Sequence, residues 1–237
     1  MALSMMESNN RLIYNDAGQG PVQHQFSPYT DNGGSIVAIG GPGFAIIASD
    51  TRLTSGFAIY TREQGKLHSL TNAAVLGASG CWCDVLSLTR LIQARMKLYK
   101  HEHQKDMSAA ALAQMLSTML YGRRFFPYYV SNVIAGLDEE GNGVVYSYDP
   151  VGHCDKNMYH AGGSSGALLQ PLLDSQIGLK NMAIKPTAPL TVEKALQITK
   201  DVFTSAAERD IKCGDGVIIR IITKDGIREE TFKLRFD

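Results

Sequence analysis

The stretch Asp31-Asn32-Gly33-Gly34-Ser35 runs directly into the strand-forming residues Ile36-Val37-Ala38-Ile39. Those five residues suit a hairpin turn. They also suit a cleavage point: a break after Gly34 would start a new chain with a hydroxyl beside its own free amine. Nucleophile and base would then sit on one residue. Other groups that could do chemistry are Asp50-Thr51-Arg52, Lys66, Ala78-Ser79-Gly80, and Arg209-Asp210 followed by Cys213-Gly214-Asp215. Taken singly, each has a plain structural reading. Asp50 and Arg52 would pair with each other at a strand end. Lys66 would be a surface lysine in a weakly patterned stretch. Ala78 to Gly80 would be a strand-to-helix turn, although its N–H groups could also receive an anion. Arg209 to Asp215 would close a helix and open a loop.

Other chemistries lack their residue patterns. His101 and His103 flank Glu102, and alternate helical residues do not share a face, so no metal site is expected there. His153 and Cys154 have no partner at ligand spacing. Cys81 and Cys83 form a C-x-C without a second pair, so the four cysteines read as reduced thiols. No G-x-S-x-G or H-E-x-x-H occurs, and Gly40-Gly41-Pro42-Gly43 joins two strands instead of leading into a helix. No cofactor is expected. Arg123 to Tyr129 is a basic-aromatic cluster that could stack on nucleic acid. It stands alone in a neutral chain, and reads better as a contact patch for a protein partner.

The 237 residues are 44% hydrophobic and 19% charged, with 23 Lys+Arg against 23 Asp+Glu. That is a globular composition with no electrostatic reason to bind nucleic acid or a membrane surface. No run approaches the roughly 20 apolar residues of a membrane span, and the first residues lack the apolar core of a secretory signal.

These groups must be positioned by elements, and the patterning supplies them. Residues 1 to about 30 are Asn-, Gly- and Ser-rich and read as a poorly ordered extension. Ser35–Ile39 and Phe44–Ala48 read as strands around the Gly40–Gly43 turn. Asp84–His101 carries the helical stripe Val85, Leu88, Ile92, Met96, Tyr99. A second helix follows Ser108 as N-cap, with Leu112, Met115, Leu116 and Met119 on one face. Val130–Leu137 and Gly143–Tyr148 read as strands, Ser164–Ser175 as a short helix, and Thr191 as the cap of a long one. Val217–Thr223 and Ile227–Leu234 form a last hairpin. Strands cluster and helices cluster, and several strands are apolar on both faces. That predicts two stacked sheets with helix pairs outside, in one domain.

Together the segments Ser35–Ala48, Ala48-Ser49-Asp50-Thr51-Arg52, Lys66, Ala78-Ser79-Gly80 and Glu208-Arg209-Asp210 with Gly214 resemble the proteasome beta subunits. Gln25–Tyr29, Arg123–Val130, Gly136–Gly141 and Gly226–Thr231 resemble the non-catalytic class that occupies the sixth position of the beta ring. The resemblance implies an α+β, four-layer αββα sandwich, the N-terminal nucleophile hydrolase fold. It implies an extension over residues 1–24 and a beta-type domain over 25–237. Active members cut themselves after a glycine to free a threonine, whose α-amine, titrating near 7.7–8.0, handles the proton. The family's aspartate, lysine and oxyanion glycine match Asp50, Lys66 and Gly80; its supporting aspartate matches Asp210, and Cys213 stands at the supporting serine.

In active members the threonine lies sixteen residues before the aspartate, and sixteen before Asp50 is Gly34, not Ser35. A one-residue offset in a strand turns a side chain to the other face, so Ser35 should point away from Lys66 and Asp50. The expectation is a subunit with no catalytic residue. Asp50, Lys66 and Asp210 would be kept for structure, the lysine held between the two carboxylates, and the extension would be trimmed by active neighbours near Gln25. The resemblance further implies a cytoplasmic and nuclear particle. Its contacts would be the fifth and seventh ring positions, the alpha ring and the opposite beta ring, and it would help shape the pocket of the fifth-position catalytic subunit. The alternative is an active N-terminal serine hydrolase using Ser35.

Overall fold

The computed structural model describes residues 27–183 and 189–236. The expected 1–24 extension lies outside them. Strands β1 (Ser35–Gly41) and β2 (Phe44–Asp50) are buried at every residue, as continuous apolar runs require when both faces of a sheet are covered. Their turn is tighter than the sequence suggests: Gly40 and Gly41 pair with Ala45 and Phe44, leaving Pro42-Gly43 at the tip. β1 and β2 are the centre of a five-stranded antiparallel sheet completed by β10 (Tyr159–Gly163), β11 (Gly216–Thr223) and β12 (Gly226–Lys233), in the order β10-β1-β2-β11-β12. A second sheet runs β5 (Leu67–Thr71), β6 (Ala74–Gly80), β7 (Val130–Leu137), β8 (Gly143–Tyr148), β9 (Cys154–Asn157). A separate hairpin is made by β3 (Leu53–Ser55) and β4 (Ala58–Thr61).

The core has three slabs. Ile36 and Ala38 of β1 meet Val75, Val133 and Val145 between the sheets. Val37 and Ile39, alternating to the other face, pack under helices α3 (Gly166–Gln176) and α4 (Val192–Ala207) with Leu169, Val202 and Phe203. The second sheet is covered outside by α1 (Trp82–His103) and α2 (Ala109–Tyr121) through Val85, Leu88, Leu112 and Leu116. The result is the expected αββα sandwich. Each fully buried Ile, Leu or Val contributes about 1.5–3 kcal/mol. The caps form as read: Ser108 accepts from Ala111 N–H at 3.2 Å and Thr191 from Lys194 N–H at 3.3 Å, each worth about 1 kcal/mol. Among the described residues no helix is long and apolar enough to cross a membrane.

Strands β3 to β6, β9 and β10 carry no strand signal read from the sequence. Their segments are short or polar, such as Leu67-His68-Ser69-Leu70-Thr71 and Cys154-Asp155-Lys156-Asn157, and ladder pairing overrides weak local propensity.

Candidate functional site

The site is built where β1 begins, β2 ends and β6 hands over to α1. Lys66, just before β5, is not a surface lysine: its side chain is wholly buried. Its ammonium donates to the Asp50 carboxylate at 3.0 Å, to the Asp50 carbonyl at 3.1 Å and to the Arg52 carbonyl at 2.6 Å. All three N–H bonds are therefore used. Asp50 also accepts the Ser35 N–H at 2.8 Å and the Arg52 N–H at 3.3 Å. Full burial pushes the Asp50 carboxyl above its usual range, against the pull of Lys66 and of these N–H groups.

Arg52 does not pair with Asp50. It reaches Asp215 through two N–H groups, at 2.7 and 3.2 Å, and the Ile211 carbonyl at 3.0 Å. Arg62 joins the same carboxylate. Asp215, at φ +66°, thus ties the loop after α4 to the two residues that flank the β3–β4 hairpin. Burial works to raise its pKa, and the hydrogen bonds from Arg52 and Arg62 nonetheless hold it below 3.8.

Gly34 and Ser35 face opposite sides of β1. Gly34 has φ +106°, and a Cβ there would lie 2.7 Å from Lys66 Cε and 2.9 Å from both Lys66 Cδ and Ser79 Cβ. The space next to Gly34 is therefore filled by the lysine stem. The Ser35 hydroxyl lies on the helix side, fully buried, and donates to Ser165 Oγ at 2.7 Å. Ser165 donates to Asp210 at 2.5 Å, and Ser164 to the same oxygen at 2.7 Å. Asp210 also accepts the Lys212 N–H at 2.9 Å. Lys66 consequently sits beside one carboxylate and two carbonyls, not between two carboxylates; Asp210 serves the serine side. Cys213 lies in the core under α4, and burial, helped by nearby Asp50, pushes its thiol up to about 12.

The chain before β1 crosses this site hydrogen-bonded on both flanks. Asn32 N–H donates to the Gly80 carbonyl at 3.1 Å, and Gly80 N–H to the Gly33 carbonyl at 3.1 Å. On the other flank Thr54 N–H donates to the Asn32 carbonyl at 3.2 Å, and the Asn32 amide to the Thr54 carbonyl at 2.9 Å. Ser164 N–H caps the Gly34 carbonyl at 2.9 Å. Chemically this leaves little room. The Gly80 N–H that could stabilise an oxyanion is bonded to Gly33, and the Ser35 hydroxyl is buried with a peptide nitrogen behind it, not an amine.

Gly34, Asp50, Lys66 and Gly80 are thus gathered on one side, and Ser35, Asp210 and Cys213 on the other. Ser164, Ser165, Asn32 and Thr54 also belong to the constellation, and patterning did not single them out. The one available signal was the Gly162-Gly163-Ser164-Ser165 run before a short helix, which suits a tight turn supplying hydroxyls.

A strand pair that opens on a buried lysine and a strand-end aspartate, inside an αββα sandwich, defines the N-terminal nucleophile hydrolase fold. The chain belongs to the proteasome subunit family, whose pattern, described as "Proteasome subunit", matches residues 30–222. It is 58% identical over 218 residues to proteasome subunit beta type-1-B of Carassius auratus, covering 92% of each chain. It is 59% identical over 214 residues to proteasome subunit beta type-1 of Drosophila melanogaster, covering 90% of this chain and 91% of that one. Against proteasome subunit beta type-6 of Saccharomyces cerevisiae it is 41% identical over 231 residues, covering 94% and 96%.

Proposed function

We propose that this chain is a non-catalytic beta subunit of the 20S core, filling the sixth ring position between the fifth and seventh and helping shape the pocket of the catalytic fifth-position subunit. The observation that carries the reading is the pair of opposed faces at the start of β1. Lys66 approaches Gly34, where a Cβ would meet its stem at 2.7 Å, while the Ser35 hydroxyl points away from Lys66, to Ser165. Lys66 and Asp50 then act as an internal tie. Removing either partner would leave a buried charge unpaired, at a cost of about 3–5 kcal/mol. Use of Ser35 as a nucleophile would need cleavage after Gly34 and release of both the Ser165 bond and the Gly33–Gly80 bond. The particle would work in the cytoplasm and nucleus on ubiquitin-marked proteins. Residues 1–24 would be an extension cut by neighbouring subunits, and 25–237 the beta domain.

The test is the N-terminal sequence and intact mass of this chain from the assembled particle, with a covalent probe for N-terminal nucleophiles. The expected chain starts upstream of Gly34 and carries no probe. A chain that starts at Ser35 and is labelled there would overturn the reading.

A further inference from the structure

The residues just upstream of β1 are fastened more firmly than a chain end needs. Ser27, Pro28 and Thr30 are exposed, yet Asn32 is buried, at 6% exposure. Both ends of its side-chain amide are engaged. The Nδ2–H donates to the Thr54 carbonyl at 2.9 Å, and Oδ1 accepts the Trp82 N–H at 2.9 Å. Trp82 opens α1, and the N-cap residue Cys81 supplies no side-chain bond there. Asn32 thus satisfies from a distance an N–H that a helix start leaves open. With its backbone bonds to Gly80 and Thr54, this one residue is tied to β3, β6 and α1.

Its neighbours hold the same stretch. Asp31 pairs with Lys212 at 2.5 Å and accepts the Gly33 N–H at 2.9 Å. The Gly33 and Gly34 carbonyls accept the N–H groups of Gly80 and Ser164. Gly33 lies so close to Lys212 that a Cβ there would be 2.8 Å from the lysine Cβ. A protease must draw the residues on both sides of the cut bond into its own cleft as an extended chain. It can therefore act only where such bonds first open.

We infer that Asn32 is the stop for N-terminal proteolysis of this chain. Peptide bonds upstream of Asp31 are open to a protease, and those from Asp31 to Ser35 are closed by the Asn32 bonds to Thr54 and Trp82. This deepens the trimming part of the proposed function and rests on it: neighbouring subunits do the cutting, and Asn32 sets where it ends. Asn32 thereby keeps Ser35 inside the chain, with a peptide nitrogen and no free amine.

The experiment takes the cutting away from the neighbours. Purified full chain is treated with subtilisin, which has little sequence demand, and new N-termini are followed by intact mass and N-terminal sequencing. In the parent the end should retreat no further than Asp31. Asn32→Ala loses two hydrogen bonds and should be cut between Asp31 and Ser35 about 30-fold faster, with cuts elsewhere at parental rates. Lys212→Ala removes only the partly exposed ion pair to Asp31 and should speed the same cuts about two- to fivefold. Circular dichroism shows whether each variant is folded; if N32A is not, K212A decides by the same criterion. Three results overturn the inference: a folded parent that loses Asn32, a folded variant cut at the parental rate, or acceleration at all sites alike. None of them touches the non-catalytic reading, which fails on a different result, a chain from the particle that starts at Ser35 and carries the covalent probe.

Discussion

Placing a side chain at Gly34 is the sharpest perturbation this structure offers. Gly34→Ala adds one carbon, which would lie 2.7 Å from Lys66 Cε and 2.9 Å from Lys66 Cδ and Ser79 Cβ. Two costs add. The φ of +106° favours glycine, and holding alanine there costs about 1–3 kcal/mol. Forcing a carbon into a packed space costs about another 1–3 kcal/mol. Lys66 cannot simply swing away, because its ammonium is anchored by three acceptors. The expected loss is therefore about 2–6 kcal/mol, a large part of the roughly 5–15 kcal/mol that stabilises a typical domain. In thermal melting of the purified subunit, the low end alone should lower Tm by about 4–8 °C for a chain of this size. Gly34→Thr should cost at least as much and gain no hydrolytic activity. Lys66→Met tests the cause, since the stem keeps its length but loses its three anchoring acceptors and can move off Gly34, and G34A with K66M together should cost less than the sum of the two. A G34A melt within about 1 °C of the parent would refute the packing argument. A G34T particle with a new threonine-type activity at this chain would refute the proposal that the position is closed.

Other outcomes follow from the same geometry. Asp215→Ala should destabilise the chain by about 3–5 kcal/mol, since it breaks the buried pair with Arg52. Because the folded-state pKa of Asp215 lies below 3.8, its contribution is complete above about pH 4 and lost as pH falls through the folded value. Denaturant melts from pH 7 to 3 should show a decline below about pH 4 that is smaller in Asp215→Asn. Cys213, with its thiol raised to about 12 by burial, should resist alkylation at pH 8 while exposed Cys83 reacts; mass mapping after brief treatment of the folded chain checks this, and early labelling of Cys213 would contradict it. Ser35→Ala removes one neutral hydrogen bond, to Ser165. It should cost about 0.5–1.5 kcal/mol and leave the particle's peptidase rates unchanged, measured with fluorogenic peptides; a lost activity would point to Ser35 as a working nucleophile.

By itself the sequence determined the elements whose signal is local. The Val85–Leu88–Ile92 stripe, the Ser108 and Thr191 caps and the apolar runs of β1, β2 and β7 repeat at helix or strand period. They needed no knowledge of what lies opposite. Their two-sided apolarity also dictated stacked sheets with covered outer faces. Through the resemblance, counting back from Asp50 put Gly34 where active members would carry threonine, and the alternation of a strand then assigned Gly34 and Ser35 to different faces. Asp50 and Lys66 themselves were legible through resemblance, since a lone lysine in a polar stretch carries no mark of burial.

Tertiary structure alone decided which charge meets which. Arg52 stands two residues from Asp50 yet binds Asp215, 163 residues away, because a strand end presents its side chains to whatever loop packs there. Lys66 found one carboxylate and two carbonyls where two carboxylates were expected, because Asp210 is drawn to Ser164 and Ser165 on the opposite face of β1. The short polar strands β5 and β9 exist because neighbouring strands offer them hydrogen bonds. Periodicity records how each element meets the core; it does not record distances between elements, and the chemistry of this site depends on those distances.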